Sequence, residues 1–163
     1  MPPLGFRENA ATILGRRVVD ALAARDFDAL AELFDADYVE AVQRPGEVPV
    51  PRDEMLRGIR ILVEAAGGTL TIEPVATLGE RLQLHHTHIE VPTPDGDPHV
   101  IDYASVMEAT ANDQLLRTEA FELDRLDDAM ARLCELGAHS SPGDVLTLDN
   151  QALARLEELH PSR

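Results

Sequence analysis

A chain of 163 residues, 44% hydrophobic and 27% charged, has the length and composition of one soluble globular domain with room for a core. Its formal net charge is -16, and all 14 basic residues are arginine. That balance argues against nucleic acid or an anionic membrane as partner, because both demand a basic footprint.

Cys134 stands alone, so no disulfide framework forms within one chain. MPPLGFRENA has no apolar signal core and no run approaches the length of a membrane span, so a reducing, cytoplasmic setting is expected.

In chain order, Met1 to Arg7 reads as a loose arm. From Glu8 to Arg25, Ile13, Leu14, Val18, Ala21 and Leu22 recur at helical spacing and predict one amphipathic helix. Asp26 caps a short second helix, Phe27 to Phe34, with Phe27, Leu30, Leu33 and Phe34 inward. After an acidic turn at Asp35 to Asp37, Tyr38 to Gln43 is a strand, and RPGEVPVP a loop. Asp53 then caps a helix with Met55, Leu56, Ile59, Leu62, Val63 and Ala66 as its apolar stripe, ended by Gly67 and Gly68. Thr69 to Leu78 is a strand whose Pro74 predicts an edge position or a bulge.

From Glu80 to Asp124 the chain reads as three β-rich runs with two turns, an antiparallel meander. The turn at Pro94 to Asp97 sets His88 opposite Asp102, His86 opposite Ala104 and Leu84 opposite Val106. A second turn at Thr110 to Asp113 sets Phe121 opposite Asp102, Glu119 opposite Ala104 and Arg117 opposite Val106. One face, expected to be inner and concave, then carries Leu84, His86, His88, Asp102, Ala104, Val106, Glu119 and Phe121. The other, with Arg81, Gln83, His85, Thr87, Ile89, Ile101, Tyr103, Ser105, Met107, Thr118 and Glu122, suits solvent or a partner subunit, Tyr103 fitting the interface. A helix follows from Asp124 to Leu136, with Leu126, Ala129, Met130 and Leu133 inward and Cys134 packed. HSSPGD is a linker, and Leu153, Leu156 and Leu159 mark a short appended helix. Helices segregated from a run of antiparallel strands give an α+β class.

The expected catalytic group is His86, His88, Asp102 and Glu119. Titratable groups on an apolar face are costly to bury without partners. A carboxylate beside an imidazole fixes its tautomer and raises its basicity, which suits a general base near neutral pH. Tyr38, Glu40 and Arg44 share a strand face and are expected to bind substrate. Phe121 joins them, and Arg117 either pairs structurally with Glu119 or Glu108, the favoured reading, or orients an anionic substrate group. His86-x-His88 with Asp102 or Glu119 is also the ligand type of a two-histidine, one-carboxylate iron site. No metal and no cofactor is nevertheless expected.

The segments VVDALAARDFDALAELFDADYVEAVQRPG (Val18 to Gly46), GERLQL (Gly79 to Leu84) and TEAFELDRLDDAMARLCELG (Thr118 to Gly137) resemble the NTF2-like superfamily, in its SnoaL-like and ketosteroid-isomerase-like branch. The resemblance implies a cone, a curved sheet wrapped around helices with a deep apolar pocket, formed by residues 1–137, with 138–163 as linker and short helix of the same domain. It also implies a homodimer. Ketosteroid isomerases use a general-base aspartate on the first strand, a tyrosine on the first helix and a protonated aspartate in the meander. Here Ala41 or Val42, Arg17 or Val18, and Ala104 align with them, unless Asp102 is the third. The expected function is therefore a cofactor-free acid/base enzyme of SnoaL-like type, a cyclase, isomerase or epoxide-opening catalyst acting on a hydrophobic polyketide- or terpenoid-like molecule. The alternative is a non-catalytic ligand-binding or dimerisation module on the same fold.

Overall fold

The computed structural model describes residues 6–138 and 144–159. The expectations for Met1 to Gly5 and for most of the HSSPGD linker lie outside them. Arg7, placed in the loose arm, is tied down: its N–H donates to Thr147 Oγ1 at 3.0 Å, and its carbonyl accepts from Thr77 Oγ1 at 2.7 Å.

Helix α1 (Ala10–Ala23) starts on a reciprocal cap. Asn9 Oδ1 accepts from the Thr12 N–H at 3.1 Å, while Thr12 Oγ1 accepts from the Asn9 N–H at 2.8 Å. Asn9 Nδ2 also donates to the carbonyls of Gly79 and Leu82, fixing the start of the helix to the later hairpin. Asp26 caps α2 (Phe27–Glu32) as expected, but the helix ends two residues early and strand β1 begins at Phe34. The strand runs through the expected turn at Asp35 to Asp37, where its pairing with the later strand is interrupted between Phe34 and Val39 and the Asp37 N–H donates to Asp35 Oδ1 at 2.9 Å. Phe34 pairs with Leu115, and the Leu115 N–H bonds to the Leu33 carbonyl at 2.8 Å.

Strand β1 (Phe34–Val42) is followed by β2 (Val50–Pro51), a two-residue strand inside the predicted loop, and by α3 (Arg52–Arg60). Pro51 holds the cap position of α3 without a side-chain bond, and Asp53 lies in the first turn, paired with Arg52. A π-helical turn (Ile61–Ala65) extends α3, and Gly67, at φ +67°, lets the chain leave it.

Strands β3 (Thr69–Leu78), β4 (Leu82–Val91), β5 (His99–Ala109) and β6 (Leu115–Glu122) form the meander with its preceding strand. A 3₁₀ turn (Leu123–Arg125) leads into α4 (Leu126–Ala138), and β7 (Leu146–Leu148) and α5 (Asn150–Leu159) close the chain. The seven-stranded curved sheet runs β2-β1-β6-β5-β4-β3-β7, with β1 and β6 parallel. The irregularity at Pro74 is present, and Pro74 lies outside the stretch Ala76 to Leu78 along which β7 pairs with β3.

Helices cover both faces of the sheet, and this decides where side chains go. On one face, Leu14, Val18 and Leu22 of α1, Leu30 of α2 and Met55 and Val63 of the α3 region pack with Tyr38, Met107 and Leu115. On the other, Ala129 and Leu133 of α4 and Ala152 and Leu156 of α5 pack on Leu84, Ala104, Val106 and Phe121. Cys134, one helical step past buried Leu133, is exposed rather than packed. Gly137 brings α4 closest to the sheet: a Cβ there would lie 2.1 Å from Leu78 Cδ2 and 2.9 Å from its Cγ. Gly137→Ala is therefore expected to cost about 1–3 kcal/mol through overpacking, read as a lower urea midpoint at unchanged slope.

Candidate functional site

The first hairpin has the register read from its turn: His88 pairs with Asp102, His86 with Ala104 and Leu84 with Val106. Period-two alternation then sets Leu84, His86 and His88 on one face of β4 and Gln83, His85 and Thr87 on the other. Because Leu84 and Ala104 pack under α4 and α5, the His86, His88 and Asp102 side chains share that face and not the one covered by α1–α3. They converge there. His86 Nε2 lies 2.6 Å and His88 Nδ1 2.7 Å from the same oxygen, Asp102 Oδ1, and His88 Nε2 lies 3.0 Å from Glu90 Oε1. With carboxylates at both ring nitrogens, His88 is held above the ordinary imidazole value, by its hydrogen bond to Asp102 first and to Glu90 second. Partial burial works to raise the Asp102 carboxyl, but the His88 and His86 hydrogen bonds outweigh it and hold the group low.

The second hairpin is shifted by two residues from the register expected. Phe121 faces Ala104, Glu119 faces Val106 and Arg117 faces Glu108. The turn is one residue longer, closed by the Thr110 N–H on the Gln114 carbonyl, and an irregularity between Glu108 and Ala109 absorbs another. The shift preserves faces but carries Glu119 away from His86. Its carboxylate is buried and accepts from Arg132 Nε at 2.8 Å and Gln43 Nε2 at 3.0 Å, joining α4 and the end of β1 to the sheet. Arg117 pairs with Glu108 at 3.6 Å, and Phe121 is buried under α4, with the Arg125 guanidinium 5.6 Å from its ring centroid.

The face assigned to solvent or a partner is covered by the N-terminal helices and carries a second polar group. Tyr38 is 3% exposed and touches Phe34 edge-on with ring centroids 4.7 Å apart. Glu40, two residues on, is half-buried on the same face and opposite Thr118 of β6. Burial raises the Glu40 carboxyl above its ordinary value, and among the described residues no charge partner offsets the loss of solvent. Burial first, and the Glu40 charge second, push the Tyr38 phenol up, against an opposing hydrogen bond from Thr118, so it stays neutral.

Deeper on this face lie Gln83 and His85, exposed 0% and 1%. Gln83 Nε2 faces His85 Nδ1 at 3.1 Å and leaves Gln83 Oε1 buried without a partner among the described residues. Burial, with the neighbouring His86 adding to it, drives the His85 pKa down to about 3. At the edge of the face Arg44 donates to Glu122 Oε1 at 2.5 Å and to the Tyr103 hydroxyl at 3.1 Å.

Sequence reasoning missed His85, Gln83 and Thr118 as buried groups. A signal was available: Ile72, Ile89, Ile101 and Met107 share their face and make it too apolar for solvent alone. A surface cleft of about 490 Å³ opens elsewhere, between Asn9, Thr77, Gly79, Glu80, Asp113 and Asp144, and none of the groups above line it.

Residues 15–118 match the model of the SnoaL-like domain. The chain belongs to the SnoaL-like family. Its α+β architecture is NTF2-like, as the sequence resemblance implied. Solved structures with the same fold include RV0760c from Mycobacterium tuberculosis in complex with estradiol-17β-hemisuccinate (10% identity, 69% of this chain and 93% of that one, TM-score 0.55). The Δ5-3-ketosteroid isomerase from a Mycobacterium species is 10% identical over 69% of this SnoaL-like chain and 92% of its own, with TM-score 0.54. SalBIII, an epoxide hydrolase/cyclase-like enzyme of pyran ring formation in the polyether salinomycin, is 13% identical over 68% and 88%, with TM-score 0.55. A comparison with curated protein sequences gives no match. Among the described residues no helix is long and apolar enough to cross a membrane.

Proposed function

We infer that this SnoaL-like chain is an acid/base enzyme for a hydrophobic, neutral or weakly polar small molecule, with Glu40 as the proton acceptor and Tyr38 as the neutral hydrogen-bond donor. The observation that carries the reading is the half-buried Glu40 carboxyl, without a charge partner among the described residues, next to a buried phenol on the face that α1–α3 cover. A carboxylate partly shielded from solvent and without a cation beside it is a stronger base than an exposed one, and a neutral phenol stabilises a developing oxyanion.

The proton transfer expected of His86, His88, Asp102 and Glu119 passes, in this reading, to Glu40 and Tyr38. Glu119 is already neutralised by Arg132, and the imidazoles stand on the far side of the sheet. Support for the substrate class comes from the neighbours, one of which carries a steroid ester and another of which acts in polyether ring formation. The orphaned Gln83 Oε1 adds a buried acceptor that an incoming donor would satisfy. Arg44, with Tyr103, sits at the edge of the same face and is assigned to orienting substrate.

A non-catalytic ligand-binding reading has one observation in its favour: Arg17, Val18 and Ala104 supply no acid where ketosteroid isomerases carry theirs. The two readings separate in a screen of steroid- and polyketide-derived ketones and epoxides for both binding and turnover. The enzyme reading expects turnover of at least one compound, with kcat/KM falling on the acid side at a pH above the ordinary carboxylate range. Compounds that bind and are all returned unchanged would establish the module instead.

A further inference from the structure

The polar cluster on the α4–α5 face has no part in the proton transfer assigned to Glu40, and it needs its own account. We propose that His86, His88 and Asp102 form a binding site for a divalent transition-metal ion of borderline softness such as Zn²⁺. Its three protein ligands are His86 Nε2, His88 Nδ1 and an Asp102 carboxylate oxygen, and Glu90 is the outer carboxylate that orients His88.

Placement supplies the first support. His86 and His88 are two apart on β4 and so project from one face, and Asp102 is the direct cross-strand partner of His88. One ligand atom from each of the three lies within 4.8 Å of the other two. Both imidazoles point at Asp102 Oδ1, at 2.6 and 2.7 Å. Ligands about 2.0–2.2 Å from a tetrahedral Zn²⁺ stand roughly 3.3–3.5 Å apart. The two histidine–Asp102 separations therefore need to open by less than about 1 Å to admit the ion, and the ligand atoms already lie within 4.8 Å of one another.

The orientation of His88 is the second, separate support. Metal-bound histidines commonly give their other ring N–H to a carboxylate, which fixes the tautomer and strengthens the ligand. Glu90 Oε1 sits 3.0 Å from His88 Nε2 and so turns Nδ1 toward the centre of the cluster. Glu90 is the next residue on this face of β4, so its place follows from the same alternation that aligns the histidines.

Access and chemistry narrow the ion. Side-chain exposures of 13% for His86, 18% for Asp102 and 30% for His88 describe a site partly shielded from water yet open from the His88 side. Two imidazoles and one carboxylate suit Zn²⁺, Co²⁺ or Fe²⁺. Ca²⁺ and Mg²⁺ require more oxygen ligands, and Cu⁺ prefers thiolates. At least one coordination position is left for solvent, and the ion would also clamp β4 to β5.

The test reads metal binding alone and is independent of any enzymatic activity, so its failure leaves the Glu40 reading untouched. Protein equilibrated with Zn²⁺ and dialysed against metal-free buffer is expected to retain one ion per chain by elemental analysis. Co²⁺ in its place is expected to give visible d–d absorption of a four- or five-coordinate nitrogen and oxygen site. Asp102→Asn and His88→Gln should each weaken Zn²⁺ binding by at least about 100-fold, and Glu90→Gln by about 10–100-fold. Loss of stoichiometric Zn²⁺ from the unsubstituted protein on dialysis overturns the proposal. So does retention of the ion by folded Asp102→Asn or His88→Gln protein. If those two variants fail to fold, folded Glu90→Gln decides, and an unchanged Zn²⁺ affinity there overturns the proposal as well.

Discussion

Glu40→Gln is expected to reduce kcat/KM on a turned-over ketone or epoxide by about 10²–10⁴-fold, equivalent to about 3–5 kcal/mol of transition-state stabilisation, while leaving the protein at least as stable at pH 7. The two halves have one cause. A carboxyl whose folded pKa lies above its unfolded value binds more protons folded than unfolded in the window between them, so stability falls as pH rises through that window. Above the folded pKa the native state carries the whole penalty of an ionised, desolvated carboxylate, and the amide carries none of it. The measurement pairs initial rates with denaturation midpoints at pH 7 and pH 4. The stability gain of the variant should shrink toward the acid pH, as Glu40 becomes increasingly protonated in both states. A variant that keeps full activity would move the base elsewhere, and His88→Gln would then be the next enzyme to assay. A variant that loses stability at pH 7 would mean that the Glu40 charge has a compensating partner.

How far the chain could be read without coordinates depended on whether information was local. The turn at Pro94 to Asp97 fixed the first hairpin register by itself, and with it the meeting of His86, His88 and Asp102. The second register failed because neither the longer turn closed by Gln114 nor the extra residue near Leu116 leaves a mark in composition; a bulge is a property of the pair, not of one strand. The orientation of the sheet failed for a different reason. Helices cover both faces, so alternation of apolar and polar residues no longer tells inside from outside, and Gln83 and His85 imitate a wet face while being buried. Glu40 was legible as a neighbour of Tyr38 on one strand face. Its lost solvation was not, because the residues packing around that face, such as Met55 and Val63, come from a helix that no local pattern places there. β7 is three residues long, too short for any periodicity to announce it.

His85 should dominate the acid limb of stability. An imidazole buried neutral, with its pKa lowered from 6.5 to about 3, stays unprotonated in the native state while the unfolded chain takes up a proton below pH 6.5. The unfolded state then binds more protons, so stability rises with pH and is lost as pH falls, at about 1.4 kcal/mol per unit between the two values. From pH 6.5 to pH 4 that amounts to about 3 kcal/mol, a large share of the total for a domain of ordinary stability. The geometry agrees with the neutral form. Gln83 Nε2 donates to His85 Nδ1, which leaves the ring proton on Nε2, and no carboxylate hydrogen-bonds the ring among the described residues to favour a second proton. His85→Gln keeps a polar side chain beside Gln83 but cannot titrate, so it is expected to remove about 3 kcal/mol of acid sensitivity over this range, whatever it costs at pH 7. Urea denaturation of both proteins at half-unit steps from pH 7 to pH 4 measures the difference. The acidic residues that titrate lower down are common to both proteins and largely cancel from the difference curve, including the many that give the chain its charge of -16. Parallel stability curves for the two proteins would show that His85 takes up its proton in the folded state, and that the face under α1–α3 is wetter than its packing indicates.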